Sequence, residues 1–431
     1  MIIAILGRQP ALGTAELERV YGGKAVTLLS KEAVQINCEI LDIQKFGGLI
    51  KAGIIISEIN TINWRQICDT VITSCLNEWK SYEGKITLGI SAYGFNVSPR
   101  EVQKIGIILK QKLKTTKASM RLIPSNDLAL SSATSHHNKL GLSQNKVEIL
   151  IIKTNNNKTI IAKSTGSQNI TAYANRDQKR PMRDAFVGML PPKLAQIMIN
   201  LAVGGSDSIR AGDVTVLNGP LEPESELTPG LNSDPERRRT MKNCASDSDS
   251  RLTILDPFCG TGVILQEAAI MGYSVYGTDL SEKMIRYSRD NLNWLADTHH
   301  VKFEWYLHEG DAMTTKWRQP INAVVCESYL GQPFSAPPSP AKLNEVVENC
   351  NHIITEFLKN LRDQIEPGTA VCIAVPAWLD KDGNFTHLPI VNTVARFGFK
   401  PHEFMNVSGN DMLYYRTDQI VARELLVLTK I

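Results

Sequence analysis

Residues 1–165 contain short segments in which apolar and polar residues follow either a helix pattern or a strand pattern, so this region is not built from helices alone. Residues 64–79 and 99–114 have the spacing of amphipathic helices, and the second has Ser98 as N-cap and Pro99 in its first turn. Strand patterns lie at residues 2–6, 49–56, 85–93, 147–152 and 159–163. The mixture predicts an N-terminal α+β domain.

Residues 166–203 are first polar and basic and then apolar, with a helix predicted at 192–203. We interpret them as a connecting segment and helix that precede the next domain. Residues 204–250 lack apolar periodicity and are rich in Gly, Ser, Asp and charged residues, which is typical of a flexible insert. The alternative is an RNA-contacting arm at residues 237–239, which are three arginines.

Residues 251–431 alternate strand and helix patterns. Strands are predicted at residues 252–255, 274–277, 301–306, 323–326 and 370–375, and an amphipathic helix at 345–361. This alternation predicts an α/β domain with a doubly wound, mostly parallel sheet. In such sheets the ligands bind at the carboxyl ends of the strands, so the residues that follow each strand are the candidates for function.

Composition narrows the class of protein only slightly. The formal net charge of +3 is small for 431 residues, so only local basic clusters can indicate a nucleic-acid partner. The eight cysteines form no C-x-x-C pair, which favours a reducing cytoplasm and no structural metal. Because no apolar run approaches the ~20 residues of a membrane helix and no signal peptide is recognisable, we expect a soluble protein.

The strand at residues 252–255 runs directly into Asp-Pro-Phe-Cys-Gly-Thr-Gly at 256–262, and a helix pattern follows at once. Glycines permit a tight turn and close approach of a ligand to the backbone. The next strand ends at Asp279, 17 residues past Gly262, where a carboxylate can accept both hydroxyls of a ribose. The sequence thus predicts a site for an adenosine-containing cofactor.

Charge distinguishes between two cofactors that share this layout. A dinucleotide site has G-x-G-x-x-G, but the third glycine position is Leu265 here. An acid at Asp256 would repel a pyrophosphate, whereas S-adenosylmethionine carries a sulfonium and an ammonium group. We therefore favour S-adenosylmethionine and disfavour a nicotinamide enzyme, and we expect Cys259 to be a packed small residue, because no Cys/His pair activates it.

The turn, with Glu267 and Ala268 after it, resembles the first motif of nucleic-acid amino-methyltransferases. The resemblance implies a Rossmann-like class I methyltransferase domain at 251–431. It places Asp256, Gly260 and Gly262 at the methionine end of the cofactor, Asp279 at the ribose and Asp311 at the adenine amine. The cofactor-binding residues that it implies are Asp256, Phe258, Gly260, Gly262, Asp279 and Asp311.

The segment after the fourth strand departs from that family, whose members have Asn- or Asp-Pro-Pro-Tyr there. Glu327 falls at the acidic position and can still accept hydrogen bonds from an exocyclic amine, while Tyr329 or Phe334 could stack on the base. We take Glu327, Tyr329 and Phe334 as candidate catalytic residues. The alternatives are a different target atom, lost activity, or a Glu327 that is simply a solvated loop carboxylate.

Two basic segments are candidates for RNA contact. The first lies between Pro99 and Arg121 and includes Lys110, Lys112 and Lys114, although a solvated helix face is an equally good interpretation. The second contains Arg176 and Arg180, which could instead form ion pairs with Asp177 or Asp184.

Arg180-Pro181, the later Pro192-Lys193-Leu194-Ala195 and the opening residues 6–10 (LGRQP) resemble the tRNA guanosine N2-methyltransferases. That family carries ferredoxin-like and THUMP domains that bind tRNA, which implies the same for residues 1–165. The resemblance implies methylation of the exocyclic N2 of a guanosine near position ten of tRNA. The alternatives are a DNA amino-methyltransferase and an RNA-binding protein that keeps the cofactor fold without catalysis; the oligomeric state stays open.

Overall fold

The structure, a computed structural model, describes residues 1–184, 189–204, 251–318, 320–334, 336–416 and 418–431. The insert predicted at 204–250, with its three arginines at 237–239, lies outside the described residues except for Gly204. The described residues form two β-sheets, each with its own helices.

The N-terminal sheet has the strand order β2-β3-β1-β4-β8-β7-β5-β6. Its strands are β1 (Ile2–Leu6), β2 (Val26–Leu28), β3 (Ala33–Ile36), β4 (Leu49–Ile59), β5 (Gly84–Tyr93), β6 (Ala118–Leu122), β7 (Lys146–Lys153) and β8 (Thr159–Ser167). The helices are α1 (Pro10–Tyr21), α2 (Trp64–Trp79), α3 (Pro99–Lys112), α4 (Ser132–His137) and α5 (Ile170–Gln178). Strand β5 runs parallel to β6 and β7, and the other pairs are antiparallel, as the mixed α+β pattern predicts.

Helix α3 begins where the sequence predicts. The Ser98 hydroxyl accepts a hydrogen bond from the Glu101 N–H, and the Glu101 carboxylate accepts one from the Ser98 N–H at 2.8 Å. This reciprocal capping satisfies two backbone donors at the helix start. The apolar faces of α2 and α3 pack on β5 and β7, so the polar face of α3 points to solvent.

The C-terminal sheet has the order β11-β10-β9-β12-β13-β17-β15. Its strands are β9 (Thr253–Asp256), β10 (Ser274–Asp279), β11 (Trp305–Glu309), β12 (Ala323–Glu327), β13 (Ala370–Leu379), β14 (Phe385–Thr386), β15 (Phe399–Pro401), β16 (Leu413–Tyr414) and β17 (Val421–Lys430). Its helices are α6 (Pro192–Val203), α7 (Val263–Ile270), α8 (Glu282–His299) and α9 (Pro340–Arg362). Strands β9 to β13 are parallel, β17 is antiparallel to β13, and the helices cover both faces, which confirms the Rossmann-like prediction.

The third strand of this sheet lies later than predicted. We expected it at residues 301–306, whereas β11 spans Trp305–Glu309. Apolar and polar residues alternate over the whole stretch 301–309, so the pattern alone gives no starting point. The pairing of Tyr276 with Tyr306 and of Asp279 with Glu309 sets the register.

Helix α6 packs within the C-terminal layer. Its apolar residues share one buried cluster with those of α7, α8 and β13, and α1 adds Leu12 and Ala15 to the same cluster. The buried Glu16 carboxylate accepts hydrogen bonds from Gly47 N, Gly48 N and Asn200 Nδ2 at 2.7–2.9 Å. Burial raises the pKa of Glu16 to about 7. The two sheets are therefore joined through α1 and α6.

Candidate active site

The turn after β9 is shaped by two glycines with left-handed backbone conformations. Gly260 has φ +51° and Gly262 has φ +80°, and α7 begins at Val263. A Cβ at Gly262 would lie 2.8 Å from Ser288 Oγ, which itself donates a hydrogen bond to the Gly260 carbonyl at 2.8 Å. The turn is consequently packed against α8 and has room only for glycine at its end.

Asp256 lies at the end of β9 and is buried. Its carboxylate accepts a hydrogen bond from Phe258 N at 3.1 Å. Burial raises the pKa of Asp256 well above its usual range, and the carboxylates of Asp279 and Glu327 raise it further. The Phe258 ring packs edge-on against Phe357 of α9, with centroids 5.1 Å apart. This contact holds the turn on the face of the sheet that carries α9, opposite to the face that carries α7.

Asp279 lies at the end of β10 and binds the turn that follows β9. One of its oxygens accepts from Gly260 N and the other from Ser281 N, both at 2.9 Å. Burial raises the pKa of Asp279. Each oxygen retains a lone pair, so the carboxylate can still accept the hydroxyls of a ribose.

Asp311 follows β11 and lies beside the Asp279 strand end, because Gly310 N donates to the Asp279 carbonyl at 2.9 Å. The Asp311 carboxylate accepts a hydrogen bond from Met313 N at 2.9 Å. Asp256, Asp279 and Asp311 thus follow three adjacent parallel strands at one edge of the sheet, as the predicted cofactor site requires.

Glu327 is the last residue of β12, the strand next to β9 on the other side. Its carboxylate forms an ion pair with Arg423 of β17. Glu327 is therefore not a free, solvated loop carboxylate, which was the alternative given for it above. The next residue, Ser328, is buried and donates to the Ala374 carbonyl from both its N–H and its hydroxyl at 3.0 Å. Tyr329 is 44% exposed, whereas Phe334 packs against the core around α9.

Sequence reasoning missed Arg423. The signal that could have revealed it is the pair Arg423-Glu424 near the start of the apolar strand VARELLVLTK, because charged residues in a covered strand need partners. Glu424 is also buried, and it accepts a hydrogen bond from His387 Nδ1 at 2.8 Å.

The candidate RNA-contacting residues separate into two groups. Lys110, Lys112 and Lys114 are exposed at the end of α3, and none forms an ion pair within the described part of the chain. Arg176 does not reach the surface in the way that RNA contact requires, because it makes a bidentate pair with Glu267 at 2.7 and 3.1 Å. Arg180 is also buried, 3.5 Å from Asp177. Glu267 is buried in α7 and needs a cation, which accounts for its pair with Arg176. The Arg180–Asp177 contact is the ion pair given above as the alternative to RNA contact.

Two general expectations can be compared with the described residues. Among them, no helix is both long enough and apolar enough to cross a bilayer. The same residues contain no group of three or more His, Cys, Asp or Glu side chains placed to hold a metal ion.

The sheet order and the carboxylates at its edge can be compared with those of known proteins. Residues 248–384 match a family described as a methyltransferase domain. The chain aligns over its full length with the crystal structure of TrmN from Thermus thermophilus, covering 99% of that chain with a TM-score of 0.50 and 15% identity, a likeness of fold. Residues 248–384 are therefore similar to a methyltransferase domain, and the chain shares the fold of TrmN.

Curated relatives narrow the class. The chain is 26% identical over 205 residues to the tRNA (guanine(10)-N2)-dimethyltransferase of Methanothermobacter thermautotrophicus, covering 48% of this chain and 43% of that protein. It is 37% identical over 83 residues to the enzyme of the same name from Pyrococcus abyssi, covering 19% of this chain and 21% of that protein. The resemblance to tRNA guanosine N2-methyltransferases is confirmed, although the alignments span less than half of either relative.

Proposed function

We propose that this protein transfers a methyl group from S-adenosylmethionine to the exocyclic N2 of a guanosine in tRNA. The observation that carries the proposal is the row of carboxylates at the carboxyl ends of adjacent strands. Asp256 and Asp279 lie on the cofactor side of the row, and Glu327 lies on the target side. The names of the curated relatives supply the base and the atom.

The cofactor side fits a cationic ligand. Asp256 and Asp279 are both largely buried, and neither has a cationic partner among the described residues. The sulfonium and ammonium groups of S-adenosylmethionine would offset these charges, whereas a pyrophosphate would be repelled. Asp279 would hold the ribose and Asp311 the adenine amine, and the bound cofactor would supply the electrophilic methyl.

The target side fits an exocyclic amine. The Glu327 carboxylate could accept hydrogen bonds from the N1–H and N2–H of guanine and turn the N2 lone pair toward the methyl. Glu327 or water would take the proton that N2 loses on accepting the methyl group that the cofactor would supply. The half-exposed ring of Tyr329 could stack on the extruded base, while Phe334 supports the loop from the core.

The N-terminal sheet and α3 would carry the RNA. Lys110, Lys112 and Lys114 offer three exposed charges for phosphates, which supports the THUMP-like role predicted for residues 1–165. A cytoplasmic location, where tRNA is available, belongs to the same proposal.

The test incubates the pure protein with labelled S-adenosylmethionine and unmodified tRNA, with duplex DNA in parallel, and identifies methylated nucleosides by mass spectrometry. We expect N2-methylated guanosine in tRNA alone, and the spectrum also counts the methyl groups added. Label in DNA alone would favour the DNA amino-methyltransferase. Cofactor binding without transfer to either substrate would favour an RNA-binding protein that has lost catalysis.

A further inference from the structure

Glu327 on the target side forms an ion pair with Arg423. We infer that Arg423 is a positioning residue for the proposed methyl transfer, holding the Glu327 carboxylate in place to accept the hydrogens of the target amine. The inference rests on the proposed function. It assigns a role to a residue that lies 96 positions from Glu327 along the chain.

The pair is formed across a strand. Glu327 on β12 lies opposite Ala374 of β13, and Arg423 on β17 lies opposite Pro376 of β13. Strands two apart in a sheet are roughly 10 Å from each other, so two long side chains can meet across a small residue on the strand between them. Ala374 is such a residue, and the two charged groups meet above it on the sheet face that carries α6 and α7.

Holding is needed because the loop after β12 lacks the two prolines of the related motif. A glutamate also has one more rotatable bond than an aspartate, which makes an unrestrained carboxylate poorly placed. Two features restrain it here. Ser328 anchors the backbone to the Ala374 carbonyl through two hydrogen bonds, and the planar guanidinium of Arg423 restrains the side chain.

Charge in this corner supports the same role. Asp256 and Asp279 bring two carboxylates to the neighbouring strand ends, and Glu327 is close enough to raise the pKa of Asp256. Glu424 faces the other side of β17 and pairs with His387. Arg423 is therefore the cation that the described residues direct to Glu327.

A merely structural ion pair would be the competing interpretation. Yet β17 already pairs continuously with β13, from Ala370–Thr429 to Trp378–Val421, so the sheet does not require an additional link. The side chains of Glu327 and Arg423 are 17% and 11% exposed, and Glu327 is a strand-end residue beside the cofactor turn. The position of the Glu327–Arg423 pair therefore fits a role toward the substrate better than a role in holding the two strands together.

The experiment compares Arg423→Gln, Arg423→Lys, Glu327→Gln and the double variant Glu327→Gln/Arg423→Gln. Arg362→Gln is the matched control, because it removes an exposed ion pair, with Asp363, at the far end of α9. For each variant we would measure kcat and the tRNA KM for methyl transfer, the cofactor Kd by calorimetry and the melting temperature.

We expect Arg423→Gln to lower kcat roughly 10- to 100-fold, because a small misplacement of a reacting group has this effect. The cofactor Kd and tRNA KM should stay within about twofold, and Arg423→Lys, which keeps the positive charge but not the planar guanidinium, should recover part of the activity. If Arg423 acts through Glu327, the double variant should lose no more than Glu327→Gln alone. Arg362→Gln should behave like the wild type.

Several outcomes would overturn the inference alone, in an enzyme that does methylate tRNA. They are an unchanged kcat in Arg423→Gln, losses that multiply in the double variant, or a fall in melting temperature and cofactor affinity that accounts for the lost activity. A wild-type chain that methylates no tRNA would instead overturn the proposed function, and the inference would fall with it.

Discussion

The cofactor side and the target side of the candidate active site are constructed differently. On the cofactor side, the carboxylate of Asp279 reaches back 19 residues to Gly260 N, and Ser288 closes the turn from the next helix. On the target side, Glu327 depends on Arg423, which lies on a strand near the end of the chain. The first is a local structure, whereas the second exists only when the sheet is complete.

This difference teaches which parts of an active site can vary. The turn depends on contacts among residues 256–288, so a change at Gly262 or Asp279 acts on the cofactor site directly. A site assembled from distant strands can replace one residue if another compensates. Here Ser328 and Tyr329 stand where the related motif has prolines, and Arg423 pairs with Glu327.

The largest effect should come from the local side. Asp279→Asn should weaken S-adenosylmethionine binding by about 100-fold, because two hydrogen bonds to a charged acceptor are weakened. Isothermal titration calorimetry measures this. Glu304→Gln, an exposed residue before β11, is the control and should bind normally. Normal binding by Asp279→Asn would remove Asp279 from the ribose site.

The next effect tests the distant side. Glu327→Gln should keep the cofactor affinity and lower turnover roughly 10- to 100-fold, since the amide is a weaker acceptor and loses its ion pair with Arg423. Single-turnover methylation of tRNA, with cofactor titration beside it, separates the two quantities. Full turnover in this variant would exclude Glu327 from the mechanism.

A smaller effect is expected outside the site. Replacing Lys110, Lys112 and Lys114 by Gln should weaken tRNA binding roughly tenfold and flatten its salt dependence. Lys24→Gln/Lys31→Gln is the control, because these exposed lysines lie at the opposite edge of the N-terminal sheet. Binding assays at several salt concentrations give the slope for each of the three proteins. Equal slopes for all three proteins would place the RNA on another surface.

The smallest effect concerns stability. Burial raises the pKa of Asp256 in the folded protein, so its contribution to stability is present below the unfolded pKa and is lost as pH rises through the folded value. Asp256→Asn should therefore raise the melting temperature of the cofactor-free protein by about 2 °C at about pH 8, and by less near pH 4. Glu304→Gln again serves as control. A lower melting temperature at both pH values would contradict the assignment.

The sequence was sufficient for what is local. The turn from Asp256 to Gly262 and the carboxylate Asp279 follow from strand patterns, glycines and charge, and the structure brings them together. The capped start of α3 was equally readable, since Ser98 and Glu101 are three residues apart. These features are determined by interactions between residues close in the sequence, so the local sequence is enough to predict them.

Features set by tertiary pairing were not predictable. The third strand lies at Trp305–Glu309 because its pairing with β10 sets the register. The alternation of apolar and polar residues does not show where this strand begins. Arg176 is only a candidate for RNA contact from the sequence, because its ion-pair partner Glu267 lies 91 residues away along the chain. Arg423 escaped notice for the same reason. In each case the decisive contact joins residues that the sequence separates.

The position of α6 has a consequence for biosynthesis. This helix is almost entirely apolar and buried, yet the strands β12 and β13 that cover it come more than a hundred residues later in the chain. A nascent chain emerging at roughly 5–20 residues per second would leave it uncovered for several seconds. Helix α1 is already made by then, and its Leu12 and Ala15 contact the same cluster. The order of synthesis thus makes α1 available to cover part of the apolar surface of α6 before β12 and β13 are made.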